Sequence, residues 1–271
     1  RVAYAISSTA LLLACAAPTL ALRLGVPDDG TLPTSRTERR AYDLVADAFG
    51  PGSNGPLLVV VDLRGELGDA GDIASVVTSA VTDDPGIQSV APAHVDTDAG
   101  IVSIVAIHTT APQDPATRTT VDRLRSEVLP GALAGTAATA HVGGQTANFA
   151  DLGDRVQQRL PWFVLTVVMV SFVLLTFVFG SVVVAVKAAV LNLLSIGAAY
   201  GVLVMVFQWQ WAGGLIGLEA AVPIVSFIPM LMFAIVFGLS MDYEVFLLSR
   251  VREHYELSRD NDTAVVHGLT S

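Results

Sequence analysis

The sequence predicts an α-helical polytopic membrane protein with an α+β domain inserted between its first and second membrane spans. Three observations carry that expectation. The 271 residues are 52% hydrophobic and only 15% charged, whereas a soluble domain carries about 25% charge. The charges are also segregated, leaving four long runs without Asp, Glu, Lys or Arg. Between the first two runs lies a long acidic segment with the periodicities of soluble helices and strands.

The first run lies between Arg1 and Arg23, and about 20 apolar residues suffice to cross a bilayer. Cys15 is the single cysteine, which leaves no material for a disulfide framework or a Cys-based metal cluster. Leu12-Leu13-Ala14-Cys15 also loosely resembles a bacterial lipoprotein cleavage box, but the basic region before it is minimal and further spans follow.

The acidic segment comes next. Ser35–Phe49 has a helical pattern stopped by Gly50. Leu57–Asp62 (LLVVVD) reads as a buried strand and Ala70–Val81 as a helix. Ile87–Val90 and Ile101–His108 are strands separated by the turn-rich Asp96–Gly100. Pro115–Val128 is a second helix and Ala137–Val142 a closing strand. The order β-α-β-β-α-β is that of a ferredoxin-like split βαβ domain, in which Leu57–Val61 should be a central strand.

Three uncharged runs follow, Leu160–Val186, a stretch after Lys187 reaching Phe207, and one between Glu219 and Asp242. Leu160–Val186 is long for one crossing, so a turn is placed near Gly180-Ser181. The four spans are then about Val2–Leu22, Trp162–Phe179, Val182–Phe207 and Pro223–Ser249. The chain divides into a first span (1–23), an extracytoplasmic domain (24–160), three spans (161–250) and a cytoplasmic segment (251–271). With Arg1 inside, Lys187, Arg250 and Arg252 all fall on the cytoplasmic side, as the positive-inside rule requires. Trp209 and Trp211 suit the outer headgroup layer.

The formal net charge of −10 opposes a nucleic-acid partner, which needs an excess of Lys and Arg. No nucleophile–base pair, phosphate loop or metal motif stands out, so neither an enzyme nor a cofactor is expected. His94, His108 and His141 are scattered without ligand spacing. The informative stretch is Phe237–Tyr255, FGLSMDYEVFLLSRVREHY. An Asp at the centre of a membrane helix costs about 2.5 to 3.5 kcal/mol on insertion scales. Asp242 is therefore expected to be buried among the helices and protonated, paired or facing a polar cavity. Tyr243 lies about 100° round the helix from it, and Gly238, one turn earlier, would admit a close neighbour. Glu244 lies about 200° away and faces elsewhere. Asn192 reads as a polar contact between helices.

Gly238–Arg250 (GLSMDYEVFLLSR) closely resembles a helix motif of the MMPL family in the resistance–nodulation–division superfamily. Val142-Gly143-Gly144-Gln145-Thr146-Ala147, followed by Leu160-Pro161, is similar to the exit from that family's porter domain. Ser181–Tyr200, with Lys187 and Asn192, is similar to its next helix. The Met241-Asp242-Tyr243-Glu244 form resembles the second half of these duplicated transporters. The resemblance implies a fragment with helices seven to ten and the second porter domain, lacking the first half of the polypeptide and the last two helices. It further implies proton antiport at a bacterial cytoplasmic membrane, exporting lipids, other hydrophobic molecules or drugs, and leaves room for a homo-oligomer. Asp242 would carry the proton and Tyr243 would be its hydrogen-bonding partner, with Gly238 packing around this relay. Superfamily architecture also serves lipid- or sterol-sensing receptors and proton-driven protein-translocation auxiliaries. A retained Asp242 weighs against a sensor.

Overall fold

A computed structural model describes residues 2–64 and 69–270. In chain order its main elements are α1 (Val2–Ala16), α2 (Thr37–Phe49), β1 (Leu57–Asp62), α3 (Ala70–Thr82), β2 (Ile87–Val90) and β3 (His94–Asp96). They continue with β4 (Ile101–His108), α4 (Pro115–Arg123), α5 (Leu129–Ala132), β5 (Thr139–Gly143), α6 (Gln145–Phe179), α7 (Val182–Leu203), α8 (Ile228–Ser258) and α9 (Asn261–Thr270). The chain forms two compact units, one of residues 24–155 and 212–223, the other of the remaining residues.

In the first unit the strands pair in the order β2-β4-β1-β5, with β3 also on β4. All the pairings are antiparallel. β1 is central, and its register sets Leu57 opposite Ala106, Val59 opposite Ile104 and Val61 opposite Val102. Because side chains alternate across a strand, these six share one face and are fully buried. Ile73, Val77 and Val81 of α3, with Leu124 and Leu129, complete that core. The opposite face is open, leaving Leu58 and Val105 exposed. The apolar run of β1 therefore has one covered face and two covered edges. β3 was not anticipated, being three residues that end at the first position of the turn-rich Asp96–Gly100. The second helix of the domain is also less regular than Pro115–Val128 suggests, since a π-turn spans Leu124–Val128.

The Gly-Gly-Gln-Thr exit has a local physical reason. Gly144 adopts φ +98°, and a Cβ there would lie 2.7 Å from the Pro56 carbonyl oxygen. Only glycine accepts both constraints cheaply. Thr146 donates its hydroxyl to the Gly55 carbonyl at 2.7 Å. α6 then starts at Gln145, well before the Trp162 expected from the apolar run, because Pro161 is accommodated inside it. Its first turns are held by ion pairs of Arg118 with Asp154 and Arg125 with Asp151.

Among the described residues Asp84 makes the most enclosed ion pair, its side chain 1% exposed. Arg123 donates to its two oxygens at 2.7 and 2.5 Å, and the Gly86 amide donates at 2.8 Å. The Arg123 hydrogen bonds outweigh desolvation and hold the Asp84 pKa below its ordinary value. A depressed carboxylate pKa stabilises the fold fully above the unfolded pKa, about 3.9, and the benefit disappears as pH falls through the folded value. Arg123→Ala should lower the opening free energy of the Asp84–Val90 segment by about 2–3 kcal/mol at pH 7. Hydrogen exchange should show the gap from wild type shrinking as the pH drops below 4. A gap that stays constant with pH would contradict this account.

Among the described residues, four helical segments are long and apolar enough to span a membrane: Val2–Ala21, Gln145–Phe179, Val182–Gln208 and Ile228–Ser258; the second unit holds them all except 145–155, the start of α6. α1 passes into a 3-10 turn (Ala17–Ala21) and α7 into a π-turn (Val204–Gln208). α8 starts five residues later and runs nine residues further than the Pro223–Ser249 reading. Its interior seam is apolar: Phe233, Phe237 and Met241 pack with Leu175, Ala185, Ala188, Ile196 and Tyr200. Phe233 stacks on Phe237 at 5.1 Å and meets Phe163 edge-on at 5.7 Å. Most other large side chains on these helices point outward, which suits helices bathed in hydrocarbon rather than water.

Candidate functional site

The helical periodicity of α8 decides what each residue of the Asp-Tyr motif faces. Phe233, Phe237 and Met241 recur at four-residue spacing and are buried. Leu231, Ile235, Leu239, Asp242 and Phe246 form the opposite stripe and are exposed. Tyr243 is 81% exposed. Among the described residues no hydrogen bond or ion pair reaches the side chain of Asp242 or Tyr243. A Cβ added at Gly238 would meet nothing within 4 Å.

The expectation that Asp242 is buried is therefore corrected for this chain. Its face is apolar above and below but uncovered, so burial requires helices that these residues do not supply. A carboxylate on a bare membrane helix would carry the insertion cost noted above. Asp242, Tyr243 and Gly238 do share one region of one helix, as their spacing demands.

Glu244 has the reverse environment. It is partly buried, continues the Phe233–Phe237–Met241 seam, and accepts a hydrogen bond from Asn192 Nδ2 of α7 at 2.9 Å. Asn192 is 9% exposed and lies on the α7 stripe of Ala185, Ala188 and Ile196. A second polar tie joins the same helices, from the Tyr200 hydroxyl to the Pro229 carbonyl. Angular position put Glu244 away from Asp242; the identity of its partner needed the α7–α8 packing.

Arg250 pairs with Glu253 at 3.3 Å and Arg252 with Glu256 at 3.2 Å. Both pairs are exposed, a setting in which such contacts are worth about 0–1 kcal/mol. His94 and His141 are exposed. His108 is fully buried, with Nε2 2.9 Å from the Gly55 carbonyl and Nδ1 2.5 Å from that of Thr110. Among the described residues no group of three His, Cys, Asp or Glu could hold a metal.

Sequence reasoning missed an apolar cavity of about 650 Å³ beside the ends of α1 and α7, lined by residues that include Cys15, Pro18, Leu20, Met205, Trp209 and Trp211. The tryptophans were a signal, but of an interface rather than of a hollow.

The model described as the MMPL family matches residues 31–271. The mycolic acid-containing lipids exporter MmpL11 of Mycolicibacterium smegmatis is 39% identical over 274 residues, covering 99% of this chain and 28% of its own. The heme uptake protein MmpL11 of Mycobacterium tuberculosis is 37% identical over 98% of this chain and 27% of its own. The trehalose monomycolate exporter MmpL3 of M. smegmatis is 33% identical over 48% of this chain and 13% of its own. The chain thus spans little more than a quarter of the MmpL11 proteins it matches.

Proposed function

The chain belongs to the MMPL family, and on that premise we propose that it is part of a proton-driven exporter of lipids or similar hydrophobic molecules. One observation carries this reading. Asp242, with Tyr243 beside it, lies on an uncovered face of a membrane-spanning helix, among apolar residues that give it no partner. A carboxylic acid at such a place can take up and release a proton once neighbouring helices enclose it. Helices from the rest of a longer polypeptide would provide that enclosure, and Gly238 would let one of them approach closely.

The remaining parts take roles consistent with this. The antiparallel sheet with its helices on one face is read as a ferredoxin-like porter domain lying outside the cytoplasm, since Lys187, Arg250 and Arg252 mark the inner side. The apolar cavity at Trp209 and Trp211 offers space for a hydrocarbon chain. One relative is named as an exporter of mycolic acid-containing lipids and another as a trehalose monomycolate exporter, which makes long-chain lipids the first class to test.

Deleting the full-length gene should remove at least one long-chain lipid from the outer envelope while it accumulates at the inner membrane. Wild-type complementation should restore it. In the same cells, an Asp98→Cys substitution in a Cys15→Ala background should react with an impermeant maleimide without permeabilisation. Unchanged surface lipids together with lost growth on heme would shift the reading to uptake, the activity named for one relative. Labelling only after permeabilisation would overturn the orientation.

A further inference from the structure

The α7–α8 seam is apolar from Phe233 to Met241 and ends in a single polar side-chain pair, Asn192 with Glu244 at 2.9 Å. We infer that this pair is a positioning device: it locks the rotation of α8 about its own axis and so determines where Asp242 and Tyr243 point. The inference rests on the proton-relay reading of Asp242 and goes beyond it by giving Glu244 and Asn192 a role in that relay.

The argument is geometric. Residues two apart on a helix are separated by about 200°, so fixing Glu244 against α7 aims Asp242 almost directly away from it. An apolar seam alone does not specify rotation sharply, because Leu, Phe, Met and Val side chains tolerate small slides and turns. A single polar pair does. Any rotation that separates it leaves a carboxyl group and a carboxamide without partners among hydrocarbon, the same reason one buried Asn specifies register in a coiled coil. The tie from Tyr200 to the Pro229 carbonyl anchors the other end of the seam, at the start of α8. It lies four turns away, so it constrains the height of α8 more than its rotation near residue 242. Among the described residues no cation pairs with Glu244, so its contact is with the Asn192 amide rather than with a counter-ion.

Glutamine at position 244 keeps an oxygen that accepts from Asn192, whereas leucine does not. The full-length protein would be reconstituted in phosphatidylethanolamine–phosphatidylglycerol vesicles holding pyranine, and proton flux per molecule read under an imposed pH gradient. Asp242→Asn supplies the blank. Glu244→Gln should stay within about twofold of wild type. Glu244→Leu and Asn192→Leu should each lower the flux roughly threefold to twentyfold, the range expected from interhelical hydrogen bonds in membranes. The double variant Asn192→Leu/Glu244→Leu separates positioning from mere support. Removing both polar groups should restore thermal stability, since nothing is left unpaired, but should leave the flux low because rotation is no longer specified.

Recovery of flux together with stability in the double variant would overturn the positioning role. So would a Glu244→Gln variant as inactive as Asp242→Asn, because Glu244 would then itself carry protons. Failure of the relay reading shows elsewhere, as wild-type flux in Asp242→Asn, and it would leave the pair nothing to position.

Discussion

Asp242→Asn is expected to abolish proton-coupled export by the full-length protein while leaving its abundance in the membrane near wild type. The substitution nearly preserves volume and hydrogen-bonding capacity but removes the ability to gain and lose a proton. Export against a gradient draws on the membrane field, which supplies about 2.3 kcal/mol per elementary charge per 100 mV. A carrier that cannot change protonation state cannot couple to it. Abundance should hold because no side chain among the described residues depends on Asp242 for a hydrogen bond or ion pair, and an amide is cheaper than a carboxylate in hydrocarbon. Tyr243→Phe should slow transport without stopping it, since water can replace a hydroxyl that makes no hydrogen bond among the described residues. If Asp242 were only a polar contact between helices, the Asn variant would keep that contact and most of the activity. Efflux measured in vesicles of matched protein content separates the two, and wild-type rates in the Asn variant would sink the relay.

Gly201→Ala should be the most damaging single-methyl change in the helical unit. A Cβ on Gly201 would run into the Cys15 carbonyl oxygen and lie 2.9 Å from its carbon and 3.3 Å from the Ala16 Cα. All three are backbone atoms of the α1 end, so no rotamer change relieves the clash and the helices must part. Parting them strains the hydrogen bond from the Thr19 hydroxyl to the Gly197 carbonyl, 2.8 Å long. Small residues permit this proximity, and in membranes close packing is a main source of helix association. Overpacking usually costs about 1–3 kcal/mol, occasionally more, and a clash this deep belongs at the upper end. Gly197→Ala is the control on the same helix face: its Cβ would meet only the Ala16 Cβ, at 3.3 Å, which a shift of tenths of an ångström relieves. Thermal melts and membrane abundance should therefore fall sharply for Gly201→Ala and slightly for Gly197→Ala. Equal behaviour of the two variants would show that α1 does not approach α7 as described.

The spans and strands were legible because each rests on local signals. Uncharged runs of about 20 residues mark spans, and short β-branched runs between turn residues mark β1, β2, β4 and β5. The start of α6 was not legible. The uncharged run begins only at Leu160, yet the helix starts at Gln145 and continues through Pro161, with Arg118 and Arg125 holding its first turns from elsewhere in the chain. The closeness of α1 to Gly201 was equally hidden, since Gly197 and Gly201 reveal a small-residue face but not which helix fills it. For the candidate site, the sequence by itself determined that Asp242, Tyr243 and Gly238 lie together on α8 and that Glu244 points elsewhere, because helix geometry depends only on spacing. Only the tertiary structure decided that Glu244 meets Asn192 while Asp242 is left on an open face. Which side of a helix is covered depends on the helices beside it, and no spacing within α8 records where its neighbours pack.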